Sequence, residues 1–180
     1  MPRGIDPGFA YNPGMARLQA QNDLVRGKLG SVAPELAKAE ISDLTRSPAF
    51  KKWLEKPVGN WPLAVLSAAD AKTIGAVQQV AVLSSQTAEK QLLKHPELTP
   101  LEYANAQRVI DFATAKSLDA PRSLIYVLED MSNITGGYVL VVKATQTGEG
   151  LFITSYRRLS RDEALREVEI ARLLRKAKKK

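Results

Sequence analysis

Cysteine is absent from the chain and histidine occurs once, as His95. Without cysteine there is no disulfide and no thiolate metal site. With one histidine, a His-rich zinc site cannot form within a single chain. No apolar run reaches membrane-spanning length, and the N-terminus has no signal-peptide core, so the chain reads as a non-membrane protein made in a cytoplasm. Several catalytic signatures are also missing. There is no G-x-x-x-x-G-K phosphate loop, no G-x-G-x-x-G, no G-x-S-x-G elbow and no H-E-x-x-H. No metal and no organic cofactor is expected.

What is present is a 180-residue chain with a net charge of +7 and 44% apolar residues. That suits one ordinary domain with appendages. Part of the positive charge lies in the terminal run Arg172–Lys180, which attracts phosphates or simply solvates the end of the chain.

Met1–Gly14 holds three prolines and three glycines and reads as an extended arm. Short helices are expected over Met15–Arg26 and Pro34–Leu44, and a further helix starts at Ser47-Pro48 and runs through Trp53 and Leu54. Pro57 and Gly59-Asn60 mark a boundary. The expected organisation is residues 1–56 as arm and helical linker, 57–160 as the main α+β domain, and 161–180 as a basic C-terminal helix and tail.

Beyond the boundary, Pro62–Leu66 and Val77–Leu83 read as strands around a helix at Ala68–Ile74. Ser84 or Ser85 caps the next helix, which stops before Pro96 because the residue preceding proline is pushed out of helical geometry. Thr99-Pro100-Leu101-Glu102 is a capping box that starts another helix. After a loop at Asp119–Pro121, Ser123–Leu128, Tyr138–Ala144 and Leu151–Tyr156 read as an antiparallel meander. Ser160 and Glu163 read as the capping box of the last helix. The fold class is α+β, with N-terminal helices followed by a twisted antiparallel sheet.

Strand alternation puts Val139, Val141 and Lys143 on one face, and separates Ser155 and Arg157 from Thr154 and Tyr156. Lys143 ends an otherwise apolar face, although a strand-end lysine also reaches solvent readily. Cations, hydroxyls and one histidine suit RNA cleavage without a metal. That reaction needs a base for the 2′-hydroxyl, an acid for the departing 5′-oxygen and cations on the phosphorane oxygens, and it leaves a 2′,3′-cyclic phosphate. If His95 carries one proton, a carboxylate, Tyr, Lys or water carries the other. Capping alone reads His95 as a helix-end residue.

GIDPGFAYNPGMA (Gly4–Ala16) resembles the P-G-F-D-Y-N-P-G signature of Mu-like F-type phage head proteins, with Ala10 where the family carries an acidic residue. SSQTAEKQLLKHPELTPLEYANAQRVID, followed by VVKAT and ITSYRR, resembles the phage branch of the barnase–EndoU–colicin–RelE nucleases. PAFKKWLEKP and PLAVL look like the linker that joins such pieces in Mu-type polymorphic toxins.

The resemblance implies a minor head protein of the virion bearing a barnase/RelE-like nuclease domain, delivered to or made in a bacterial cytoplasm. It implies a metal-independent endoribonuclease with His95, Lys143, Ser155 and Arg157 in the catalytic cleft. Ser84, Lys90, Thr154, Tyr156 and Arg158 are candidate substrate contacts. Implied partners are RNA (tRNA among the candidates) or another nucleic acid, head or portal proteins through Gly4–Ala16, and an immunity protein. Two alternatives stand beside this reading: a structural virion protein with an inactive nuclease fold, and a nucleic-acid-binding module without catalysis.

Overall fold

Proline at the first turn and an aromatic pair three residues apart make Pro48–Glu55 a short helix that buries Phe50 and Trp53. In the computed structural model, which describes residues 34–178, this helix (α2) follows α1 (Pro34–Arg46). The Gly4–Ala16 signature, the expected Met15–Arg26 helix and the last two lysines lie outside the described residues.

The next elements are β1 (Asn60–Val65), α3 (Ala68–Thr73), β2 (Val80–Ser84) and α4 (Ser85–Lys94). Two short helices, α5 (Pro100–Ala104) and α6 (Ala106–Asp111), replace the single helix expected there. The strands β3 (Ala115–Ala120), β4 (Ser123–Glu129), β5 (Gly137–Ala144) and β6 (Leu151–Arg158) follow, then α7 (Glu163–Lys178). The fold is thus mixed α+β around a six-stranded sheet of order β1-β2-β6-β5-β4-β3.

The sheet departs from the expected antiparallel one in two ways. β2 and β6 run parallel, in register at Val82 and Phe152. This single parallel junction welds the β1–β2 pair onto the later meander, so strands from both halves of the chain share one sheet. The second departure is β3, which the sequence did not suggest as a strand and whose last two residues, Asp119 and Ala120, were expected in a loop. It is an edge strand on which an exposed Lys116 and a half-buried Ser117 are tolerated, and polarity there mimics a loop. The last helix is also capped differently. Asp162 Oδ1, rather than Ser160, accepts from the Leu165 N–H, while Ser160 Oγ accepts from the Asp162 N–H.

One sheet face packs on α2 and α4–α6. There Trp61, Leu63, Leu83, Tyr126, Leu140 and Tyr156 meet Phe50, Trp53, Tyr103 and Val109 in the main core. The second face carries two smaller apolar clusters. Ala37 and Ile41 of α1 meet Val65, Val80 and Val82, whereas Ile170 and Leu173 of α7 pack on a cluster of Ile125, Val127 and Val139. Between these clusters lie β6 and the end of β5.

Candidate nucleic-acid interface

The register of β5 and β6 decides which side chains meet. Val139 pairs with Arg157, Val141 with Ser155 and Lys143 with Phe152. Directly paired residues share a face, so Lys143, Ser155, Arg157 and Phe152 all lie on the second face. A bulge between Val141 and Val142 leaves Thr154 as the extra residue on β6. Its hydroxyl points back to the Val141 carbonyl at 3.4 Å, and its own carbonyl accepts from Lys90 Nζ at 3.0 Å. Lys90 is thereby brought from α4 to the sheet beside Ser155.

The cations on this face are held differently. Lys143 is exposed and has no ion-pair partner among the described residues. Arg157 is paired with Glu169 of α7, which lies over the neighbouring strands. Ser155 is half-buried.

Other candidates point elsewhere. Tyr156 is fully buried in the main core, its hydroxyl donating to the Glu102 carbonyl at 2.8 Å. Ser84 caps α4, accepting from the Thr87 N–H at 3.1 Å. His95 closes the other end of α4, where its N–H reaches the Gln91 carbonyl at 2.7 Å and its Nδ1 lies 3.7 Å from Glu97 Oε1. Its link to the last strand runs through Glu97, whose carbonyl accepts from Arg158 at 2.8 Å. Lys143 lies five residues along β5 from Tyr138, the partner of Arg158, or roughly 17 Å, and on the opposite face. The structure therefore puts Lys143, Ser155 and Arg157 on one face, ties Lys90 of α4 to the Thr154 carbonyl next to Ser155, and sets His95 and Arg158 apart from them.

Two polar residues shape this region in ways the sequence did not show: Glu102, expected only as a helix cap, and Gln91, not singled out at all. Glu102 is the capping-box residue, donating nothing but accepting from the Thr99 N–H at 2.9 Å. The same carboxylate accepts from Arg158 Nε and Nη2, both at 2.7 Å, and from the Tyr138 hydroxyl at 2.7 Å. Burial pushes its carboxyl up, but the bonds from Arg158, Thr99 and Tyr138 outweigh that and hold it at about 2. Burial and the same carboxylate push the Tyr138 hydroxyl up.

The second is Gln91, 1% exposed on the buried side of α4. Past the junction at Phe152, β2 leaves β6 and the Tyr156 backbone loses its neighbour. Gln91 fills the gap: its amide nitrogen donates to the Tyr156 carbonyl and its Oε1 accepts from the Tyr156 N–H at 3.2 Å. A lone amide between Ala88 and His95 on a helix face was the available signal. Gln91→Leu leaves both backbone groups buried without partners and is expected to cost about 2–4 kcal/mol. Urea unfolding, with amide exchange at Tyr156, checks this; protection there equal to wild type would remove the bridging role.

No family model, curated protein or solved structure matches the chain. Among the described residues, no group of three or more histidines and carboxylates could hold a metal ion, and no helix is long and apolar enough to cross a membrane. The arrangement on the second face offers cations and a hydroxyl to an anionic chain lying along β6.

Proposed function

We propose that this chain is a phage head-associated protein whose domain, of barnase/RelE type, binds RNA along β6 and cuts it without a metal. The observation that carries the RNA half is the β5–β6 register, which supports a phosphate-binding row of Lys143, Ser155, Arg157 and the Lys90 held at the bulge. The head-associated half rests on the resemblance of Gly4–Ala16, through which head or portal proteins would be met.

In this reading Lys143, Lys90 and Arg157 neutralise phosphate oxygens and Ser155 orients one of them. His95 is the candidate proton carrier, and because it lies apart from the row, the RNA would have to run on past Arg157 to reach it. The 2′-oxygen attacks phosphorus as it loses its proton, the P–O5′ bond breaks, and the 5′-oxygen takes up a proton. The products are a 2′,3′-cyclic phosphate and a free 5′-hydroxyl. An immunity protein that covers β6 would block this row.

Incubating the protein with tRNA and total RNA at low salt tests the proposal. Wild type should leave cyclic-phosphate ends. Lys143→Ala should weaken binding and lower the dependence on log salt by about 0.7–0.9. His95→Ala should keep binding and lose cutting by roughly a hundredfold or more. Intact RNA with wild type, together with no growth defect in cells, would sink the catalytic claim.

A second reading has its own support. His95 stands apart from Lys143, and Arg157 is already paired with Glu169. Both suit a virion protein whose nuclease-like fold does not cut. Under that reading, removing Gly4–Ala16 abolishes incorporation into particles while RNA is untouched by any variant.

A further inference from the structure

The row of cations on β5 and β6 surrounds one aromatic side chain that the RNA reading leaves unused. Phe152 is the cross-strand partner of Lys143 and lies on the same second face, half-buried against the Val80 and Val82 cluster. Its ring sits over the hairpin. A Cβ added to Gly150 would come within 2.8 Å of Phe152 Cε2, so glycine at that position is what leaves the ring room. Ser155 and the Lys90–Thr154 contact follow on the same strand.

The surroundings limit what can reach this ring. The α1 cluster covers the β1–β2 side of the face, and the α7 helix covers the β3–β4 side and the start of β5. Among the described residues, the strip left between them is about two strands wide, roughly 10 Å at 4.8 Å per strand. An RNA double helix, with two strands and a wide, shallow minor groove between them, is broader than such a strip. A single strand fits such a strip, with a base on the ring and phosphates on the flanking cations. Aromatic rings beside cations are the common means of holding single strands, since every base has a flat face.

We infer that Phe152 is a base-stacking platform and that the ligand of this face is single-stranded nucleic acid, its phosphates held by Lys143, Lys90 and Arg157. This rests on the RNA reading above and adds the strandedness of the ligand and the residue that selects it.

Fluorescence anisotropy with a labelled 2′-O-methyl RNA decamer tests it, because that probe lacks the 2′-hydroxyl needed for cutting. Three forms are compared: the single strand, its duplex, and an abasic decamer with the same phosphates. Wild type should prefer the single strand by about tenfold over the other two. Phe152→Leu keeps an apolar contact with Val80 and Val82 but has no ring. It should bind the single strand about tenfold more weakly, with an unchanged salt dependence, and Phe152→Trp should bind as wild type. Equal binding of duplex and single strand by wild type, or full affinity in Phe152→Leu, overturns the stacking site and leaves the RNA reading standing. Absence of binding to every probe at low salt overturns both.

Discussion

A Glu102→Ala chain is expected to lose about 3–5 kcal/mol of stability, enough to unfold a large share of molecules at moderate temperature. The carboxylate is 3% exposed and has four donors converging on it. Removing it strands the Arg158 guanidinium and the Tyr138 hydroxyl in a part-buried corner, and unpaired buried donors cost more than the bonds themselves contribute. It also removes one half of the capping box, leaving the Thr99 N–H without its acceptor while Thr99 Oγ1 still accepts from the residue-102 N–H.

The same residue gives the fold an acid limit. Its carboxyl titrates at about 2 in the folded protein against 4.5 as the ordinary value. Because the folded value is depressed, the stabilisation is fully present above about pH 4.5 and is lost as pH falls towards 2. Glu102→Gln keeps the shape and removes the charge, so its stability should fall less steeply between pH 5 and pH 2.5 than that of wild type. Urea midpoints at those two pH values decide the matter. An identical acid slope in wild type and Glu102→Gln would mean that other carboxylates set the limit.

The second large effect concerns the N-terminal helices. A chain beginning at Pro57 is expected not to fold. Phe50 and Trp53 are fully buried and Leu54 nearly so, within the cluster that also holds Trp61, Tyr103 and Tyr156. The Phe50 and Trp61 rings lie 4.9 Å apart and those of Trp53 and Trp61 5.6 Å apart. Trp61 Nε1 donates to Thr45 Oγ1 at 3.0 Å, and Trp53 Nε1 to the Val58 carbonyl at 2.7 Å. Loss of one such aromatic side chain costs about 3–5 kcal/mol, and the truncation removes two together with Leu54. That exceeds what a domain of this size can spare. Circular dichroism and a thermal melt of the truncated chain give the answer. A cooperative transition would show that residues 57–178 stand alone.

How legible all this was in the sequence depended on the kind of signal. Local chemistry read well. The Thr99–Glu102 box, Pro48 at the first turn of α2 and the alternation that unites Val139, Val141 and Lys143 on one face all appear where the residues pointed. Long-range pairing did not. Nothing in Val80–Ser84 announces that it runs beside Leu151–Arg158, because parallel and antiparallel buried strands carry the same apolar pattern. The separation of His95 from Lys143 followed from that topology and was equally hidden. Phe152 was passed over because its value as a surface group depends on the Lys143 beside it and on the space above Gly150.

Among the described residues, Gln91 is one of two glutamines that bind both the N–H and the carbonyl of a strand residue lacking a strand neighbour. Gln107 of α6 likewise accepts from the Val65 N–H at 2.7 Å and donates to the Val65 carbonyl at 2.9 Å, on edge strand β1. Open strand backbone invites growth: a stray strand from another molecule can zip onto it and seed aggregates. At the tear between β2 and β6 and at the end of β1, the first rungs such an intruder would need are already taken by side chains of the same molecule. Runaway edge-to-edge assembly is thus turned away from these places and left to β3, an edge whose Lys116 is tied to Asp70 at 2.9 Å.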